Sequence, residues 1–375
     1  MHNNPDIAVA AREVAALEGS VRQAGIIPNP SIGASVEDTK QATRSTTLQL
    51  NVPIELGGKR AARMNAAEFG RSAAAIELAG KRAEVRAVVV AAFYAVVTAQ
   101  ERYRLAFSSV HLARRVSNAA AKRVLAGKVS PVDETRARVA EANVRAELAL
   151  AASEVQGARR RLAATWGSAN PRFEHAEDQV ETLPVLPPLD DLIQQLQQAP
   201  SLARARIEVD RRQAVARVEQ SRQIPDITLN FGAKRNEQLG RNQAIFGISI
   251  PIPIFDRNQG NVLESLRRTE KARDELVATE LRLTTELGQA HARLGAARQE
   301  AELLRQEILP GAQSAYDATT KGFDLGKFSF LEVLDAQRTL FQAKAQYLRA
   351  LSDTHRAASD IDRLVGIPYA PQSGQ

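Results

Sequence analysis

The chain of 375 residues has no cysteine, which excludes disulfides, thiolate metal sites and, on the chain as given, a lipidated N-terminal cysteine. Histidine is sparse and scattered, at positions 2, 111, 175, 291 and 355, with no two at helical i, i+4 spacing. Met1 and Met64 are the only methionines. A soft metal ion needs clustered imidazole or sulfur donors, so no metal site and no cofactor are expected. No Ser-His-Asp grouping or paired-carboxylate cleft is visible either, and the chain does not read as an enzyme. No uninterrupted apolar run reaches the roughly 18–20 residues of a transmembrane helix. A signal-peptide pattern is also missing, since the helical pattern begins almost at Met1; a processed or trimmed start is the expectation. Aromatics make up only 5% of residues. The net charge is +7, but 43 acidic residues are interspersed with the basic ones. Runs such as Arg159-Arg160-Arg161 and Arg211-Arg212 have no aromatic neighbours on which a base could stack, so they read as solvated helix faces and not as a nucleic-acid surface.

What the chain does contain is a long internal repeat. AGKVSPVDETRAR at Ala126–Arg138 aligns with LGKFSFLEVLDAQ at Leu325–Gln337, pairing Gly127 with Gly326, Lys128 with Lys327, Ser130 with Ser329 and Asp133 with Glu332. About 30 residues of helical pattern follow each, ending at Trp166-Gly167 and Val365-Gly366. Upstream, LNVPIEL at Leu50–Leu56 aligns with IPIPIFD at Ile250–Asp256. Landmarks in the same order at a period of about 200 residues argue for duplication of one large unit, far too long for a solenoid repeat. The predicted division is a first repeat over 1–170, a connector over 171–199, a second repeat over 200–367 and a tail over 368–375.

Each copy reads helix, strand, strand, long helix, turn, helix. Strands are predicted at about 30–38, 45–56, 226–235 and 244–255, where apolar and polar residues alternate with period two. The polar connectors Asp38–Ser45 and Asn236–Asn242 make each pair a hairpin. Alternation alone favours the half-buried sheet of a soluble domain. Two features weigh against it: ten-residue strands match a tilted bilayer crossing, and four strands leave two edges that one chain cannot close. Closure between copies would satisfy every backbone group, as lipid demands.

Helices are predicted at 59–126, 131–166, 261–324 and 330–365, the first roughly 100 Å long at 1.5 Å per residue. Their apolar seams step by four and three, as in Val85, Val89, Ala92, Val96, Ala99, Tyr103, Ala106, Val110, Ala113 and in Leu283, Leu287, Ala290, Leu294, Ala297, Ala301, Leu304, Ile308. That period specifies coiled-coil packing. Pro310-Gly311 should bend or interrupt the second long helix. The Gly-Lys-x-Ser segments mark reversals, glycine ending one helix and serine capping the next. They carry one glycine and no preceding strand, which rules against a phosphate loop.

This order of elements, with its duplicated LGKFSFLEVLDAQ-type turn and proline-bearing strands, resembles the TolC family of outer-membrane efflux proteins over about Pro5–Pro368. PIELGGKR at Pro53–Arg60 and IPNPSI at Ile27–Ile32 are similar to its heavy-metal subgroup, the CzcC-like cation efflux proteins. The resemblance implies a mainly α fold with a small β part: long coiled-coil helices and four membrane strands per chain in a trimeric α/β barrel. It implies a homotrimer in outer-membrane lipid with a periplasmic helical tunnel, and residues 167–200 and the C-terminal tail in a belt around it. A periplasmic membrane-fusion adaptor would meet the tip at Gly127, Lys128, Val129, Ser130, Gly326, Lys327, Phe328 and Ser329. An inner-membrane resistance-nodulation-division pump would supply energy. Glu332 and Asp335 stand where the family narrows its pore with acidic residues, and their i, i+3 spacing puts both on one helix face. Asp133 holds the equivalent place in the first copy, while the counterpart of Asp335 is Arg136. Rings of carboxylates favour cations, which suits metal export. Phe328 occupies a place where some members carry a latch arginine. The alternatives are a duct for drugs or proteins, and a soluble periplasmic coiled-coil adaptor.

Overall fold

The computed structural model describes residues 4–177, 182–325 and 327–366. Two compact units share the chain: residues 9–79 with 200–281, and the remainder. The first unit holds the sheet. Its strands are β1 (Ser31–Glu37), β2 (Ser45–Ile54), β3 (Ile227–Asn236) and β4 (Arg241–Ser249), antiparallel throughout in the order β1-β2-β3-β4. The two hairpins come from the two sequence repeats and join through β2 and β3, from Ser45 opposite Asn236 to Ile54 opposite Ile227.

Register decides what this sheet can do. Directly opposed residues in an antiparallel ladder share a face. The apolar positions of all four strands fall into register: Ile32–Leu50–Phe231–Phe246 in one row, Ala34–Leu48–Ala233–Ala244 in the next, and Val52–Leu229–Ile248 below. A one-residue slip of any strand would break every row. The other face reads Ser31–Asn51–Asn230–Gly247 and Ser35–Thr47–Lys234–Gln243. Near the hairpin turns a 2.7 Å bridge from Lys234 on β3 to Glu37 on β1 crosses β2, where Ser45 and Thr47 are buried. The apolar face is open instead: Ile32, Leu48, Phe246 and Ile248 are each more than half exposed. Within the described chain β1 and β4 are edges.

The alternation continues past Ser249 through Ile250, Ile252 and Ile254, and on that pattern β4 is expected to reach residue 255. It ends at Ser249. Pro251 and Pro253 have no N–H to give a ladder, so side-chain period persists where pairing cannot.

The passage from β2 into the first long helix, α2 (Lys59–Leu125), gives Glu55, Leu56, Gly57, Gly58 and Lys59 of PIELGGKR defined roles. Gly57 and Gly58 both have positive φ, 69° and 71°. The Leu56 N–H donates to Asp226 Oδ1 at 3.1 Å and the Lys59 ammonium lies 2.6 Å from the same oxygen. Arg63 pairs with Glu55. In the second copy the bend falls at Asn258 (φ 58°), whose amide donates to the Glu219 carbonyl at 2.8 Å. Two further helices, α1 (Pro5–Ala24) and α5 (Pro200–Ser221), lead into β1 and β3.

The helical unit contains most of α2, then α3 (Pro131–Ala164), α4 (Leu189–Leu196), the later part of α6 (Gln259–Leu303), α7 (Leu309–Asp324) and α8 (Phe330–Val365). The 3.5-residue seams become its core. Val85, Val96, Ala99, Ala106 and Ala113 are buried on α2, as are Leu283, Leu287, Ala290, Leu294 and Ala301 on α6, whereas Tyr103 lies exposed. α2 has an 18-residue stretch apolar enough by composition to cross a membrane. Its Val96 and Val97 are spent on helix packing, against Val155 and Leu162 of α3 and against Leu351 of α8.

The second long helix is not one helix over 261–324. A π-helical turn, Leu304–Ile308, separates α6 from α7. Pro310 lacks the N–H that residue 306 would accept and its ring crowds that carbonyl; widening the preceding turn removes the conflict. The break therefore falls before Pro310 and not at Gly311. The connector between the repeats is strapped to the helices by side chains. Gln100 exchanges two hydrogen bonds with the Ala176 backbone, at 2.8 and 3.0 Å. Arg298 donates to the Pro184 carbonyl at 2.7 Å, and His291 lies 2.9 Å from that of Pro187.

Candidate functional site

The two Gly-Lys-x-Ser reversals form the ends of the helix pairs α2/α3 and α7/α8. In the first, Gly127 sits at φ 66°. Lys128 N–H reaches the Arg123 carbonyl and Gly127 N–H the Val124 carbonyl, each at 2.9 Å. That is the paired bonding of a Schellman stop, which only a left-handed residue after the helix permits. Ser130 then caps α3, accepting from Val132 N–H at 3.2 Å with Pro131 in the first turn. Lys128 is exposed and Val129 half-buried. In the second reversal Lys327 N–H bonds the Gly322 carbonyl at 2.7 Å, the same five-residue span. Gly326 itself lies outside the described residues, as do the expected C-terminal tail and His2.

Ser329 and Glu332 form a capping box: the Ser329 hydroxyl accepts from Glu332 N–H, and Ser329 N–H donates to Glu332 Oε2 at 2.6 Å. The hydroxyl also donates to Oε2, at 2.7 Å. These bonds from the Ser329 side chain and backbone hold the exposed Glu332 carboxyl below the usual carboxylate range. The resemblance made Glu332 a pore-facing acid; the capping box gives its carboxylate a structural task as well. Asp335, one turn on, lies 2.7 Å from Arg338, both well exposed. Asp133 is half-buried in the first turn of α3.

Between α3 and α8 runs a groove of about 590 Å³. Arg136 and Asp335, equivalent positions of the two repeats, both line it, with Val139, Glu147, Gln337 and Phe341. Asp133 and Glu332 are not part of its lining. At the same end the Arg123 guanidinium stacks over the Phe323 ring, 3.8 Å from its centroid, joining α2 to α7. Phe323, Val116 and Leu334 pack around the buried Ala120 and Ala137. Phe328 folds back on Gly322, where a methyl group would overlap its ring. Neither aromatic contact follows a sequence period, so neither could have been found by reading periods.

Among the described residues no group of three or more His, Asp or Glu side chains could hold a metal ion. His355 stacks on Tyr94 with centroids 3.6 Å apart, and His111 meets the edge of Phe107.

The outer membrane efflux protein family model matches residues 1–168 and 192–367. The chain belongs to the outer membrane efflux protein family. It is 49% identical to the cobalt-zinc-cadmium resistance protein CzcC of Cupriavidus metallidurans, over 97% of this chain and 87% of that one. It is 26% identical to the nickel-cobalt-cadmium resistance protein NccC of Alcaligenes xylosoxydans xylosoxydans, over 72% of this chain and 63% of that protein. Among solved structures it superposes on CusC with a TM-score of 0.82 at 19% identity, covering 97% of this chain and 90% of CusC. As a family member it is an outer-membrane efflux protein with TolC-like α- and β-barrel elements, and the expected fold class stands.

Proposed function

We propose that this efflux protein is the outer-membrane duct of a tripartite system that exports heavy-metal cations. The observation that carries the reading is the 49% identity to CzcC across almost the whole chain. The sheet supports a duct: its apolar face runs from Ile227 to Ala233 before Arg235 ends it, about 20 Å of strand at roughly 3.4 Å per residue, with the apolar and polar faces alternating as in an outer-membrane barrel. Three copies joined at the free edges of β1 and β4 close a twelve-stranded barrel and leave no unpaired strand in lipid.

In this homotrimer the turns at Gly127–Ser130 and Gly326–Ser329 meet a periplasmic membrane-fusion adaptor, and an inner-membrane resistance-nodulation-division pump drives transport. The duct performs no catalytic step. Asp133, Glu332 and Asp335, threefold repeated, bring carboxylates to the entrance that favour cations over anions, with Asp335 bridged to Arg338. A passive conduit needs no tight metal site, since strong binding would slow transit; choice of metal then rests with the pump. The test is a deletion strain complemented with this chain and grown in cobalt, zinc or cadmium. Tolerance lost on deletion and restored by the chain supports the reading; a deletion strain that keeps metal tolerance but loses drug tolerance overturns it.

A further inference from the structure

Just past the β2–β3 ladder the Glu237 N–H donates to the Arg44 carbonyl at 3.0 Å, in register with the Ser45–Asn236 pair. Antiparallel ladders alternate bonded and non-bonded pairs. Even-numbered residues of β2 and odd-numbered residues of β3 therefore aim their main-chain groups at each other. It follows that even-numbered residues of β1 and β4 aim theirs at the open edges: Ile32, Ala34 and Val36 on one, Phe246 and Ile248 on the other. Ile250 continues the second series, since Pro251 and Pro253 lack an N–H only on the β3 side. The Ile252 carbonyl is taken by the Ile254 N–H at 2.9 Å, so Ile250 is the last residue with both main-chain groups available to an outer partner. Ile32, Val36, Phe246, Ile248 and Ile250 are all more than half exposed.

We propose that β4 of one copy pairs with β1 of the next in a stepped register: Ile250 opposite Ile32, Ile248 opposite Ala34 and Phe246 opposite Val36, with Gly247 meeting Ser35 on the other face. The inference rests on the trimeric-duct reading and names the seam which that reading leaves open. Within one chain a row runs Ile32–Leu50–Phe231–Phe246. Were Phe246 to meet Ile32 of the next copy, the row would close on itself and the strands could not tilt. Twelve strands about 4.8 Å apart, rising about 3.4 Å per residue and tilted about 35–45°, need a total stagger of about 12–17 residues. Threefold symmetry splits the stagger into three equal steps, and each must be even or apolar side chains cross to the polar face. Only a step of about four residues, about twelve around the barrel, falls within the range.

The direction of the step is fixed twice. For L-residues, a side chain facing the viewer on an ascending strand carries its N–H and C=O to the viewer's right. Seen from the apolar side with the hairpin turns uppermost, β2 descends, so β3 lies to its left and the next copy's β1 lies left of β4. Barrel strands lean to the right as they rise, so rows climb leftwards, towards Val36 and away from Ser31. The opposite step would set Asn242 against Ile32, Phe246 against Pro28 and Glu237 against Glu37. The proposed step sets apolar against apolar in all three rows.

The chain has no cysteine, so paired substitutions report the seam directly. A Cβ at Gly247 makes only ordinary contacts, 3.6 and 3.7 Å from Asn230. Within one chain positions 35 and 247 lie three strands apart, at least about 14 Å, beyond the reach of a disulfide. The test takes each full-length variant purified in detergent, measures its mass by light scattering, then oxidises it and runs it unreduced on a denaturing gel. Ser35→Cys with Gly247→Cys should move most of the protein from the one-chain to the three-chain band, and so should Ala34→Cys with Ile248→Cys on the other face. Ser35→Cys with Gln243→Cys, the unstepped register, and Ser35→Cys with Ser249→Cys, a longer step, should stay at the one-chain band. Linking of either expected pair with both controls unlinked supports the register. A three-chain mass with a control linking as well as the expected pairs, or with no expected pair linking, overturns the register alone. A one-chain mass overturns the duct reading and this inference with it.

Discussion

Gly57 and Gly58 make a matched pair that isolates one contact. Both have positive φ, 69° and 71°, so an alanine at either must hold a left-handed backbone, costing roughly 1–2 kcal/mol. Their surroundings differ. A Cβ at Gly57 would lie 2.9 Å from Ile224 Cβ and 3.0 Å from the Ser221 carbonyl oxygen, whereas one at Gly58 would meet nothing within 4 Å. Real Cβ atoms do not approach so closely, and the backbone oxygen cannot rotate away. Overpacking of this kind costs about 1–3 kcal/mol more. Gly57→Ala should therefore destabilise by about 2–5 kcal/mol and Gly58→Ala by only about 1–2. The assay is the urea-unfolding midpoint of each variant in detergent micelles at equal protein concentration, followed by far-ultraviolet circular dichroism. Equal shifts, or a larger one at Gly58, would refute the claim that Gly57 is required for the close approach of the β2–α2 bend to Ile224.

Asp226 gives a pH dependence. Burial raises its pKa, but the Lys59 ammonium and the Leu56 N–H outweigh burial and hold it below the ordinary aspartate value. Its contribution is therefore present above the unfolded-state pKa and is lost as pH falls through the folded value; with the carboxyl part-exposed it amounts to about 1 kcal/mol or less. Asp226→Asn should flatten the acid limb of the stability profile below about pH 4, and an unchanged profile would remove Asp226 from the junction's energetics. At the tip, Glu332→Gln keeps a side chain able to complete the capping box while removing its charge. Together with Asp335→Asn it should lower cation preference in bilayer reversal potentials without a change in unfolding midpoint; unaltered selectivity would take these acids out of the gate. Pro310→Ala restores the missing N–H and should let the Leu304–Ile308 turn close to α-helical bonding, visible as new amide protection near residue 310 in hydrogen exchange.

The sheet was legible because period-two alternation in four segments demands one register if the apolar rows are to meet, and the register found meets them. Its end was not legible: Ile250, Ile252 and Ile254 continue the side-chain period, but pairing ends with the N–H groups that Pro251 and Pro253 lack. The heptad seams foretold the buried faces of α2 and α6, yet the period says nothing about hydrogen-bond class, so the π-helical turn before Pro310 came only from structure. At the tip the Ser-x-x-Glu pattern of Ser329 and Glu332 spelled a capping box as plainly as it spelled an acid on the helix face. The stacking of Arg123 on Phe323 joins residues 200 apart in sequence, one position out of step in the repeat alignment, near the end of the helix that precedes each Gly-Lys-x-Ser turn.

The central claim is that the open edges of β1 and β4 close between copies. Its most direct test is the mass of the detergent-extracted protein, measured by light scattering with the detergent contribution subtracted. The account predicts three times the chain mass, and a monodisperse monomer that stays soluble after the detergent is removed would contradict it.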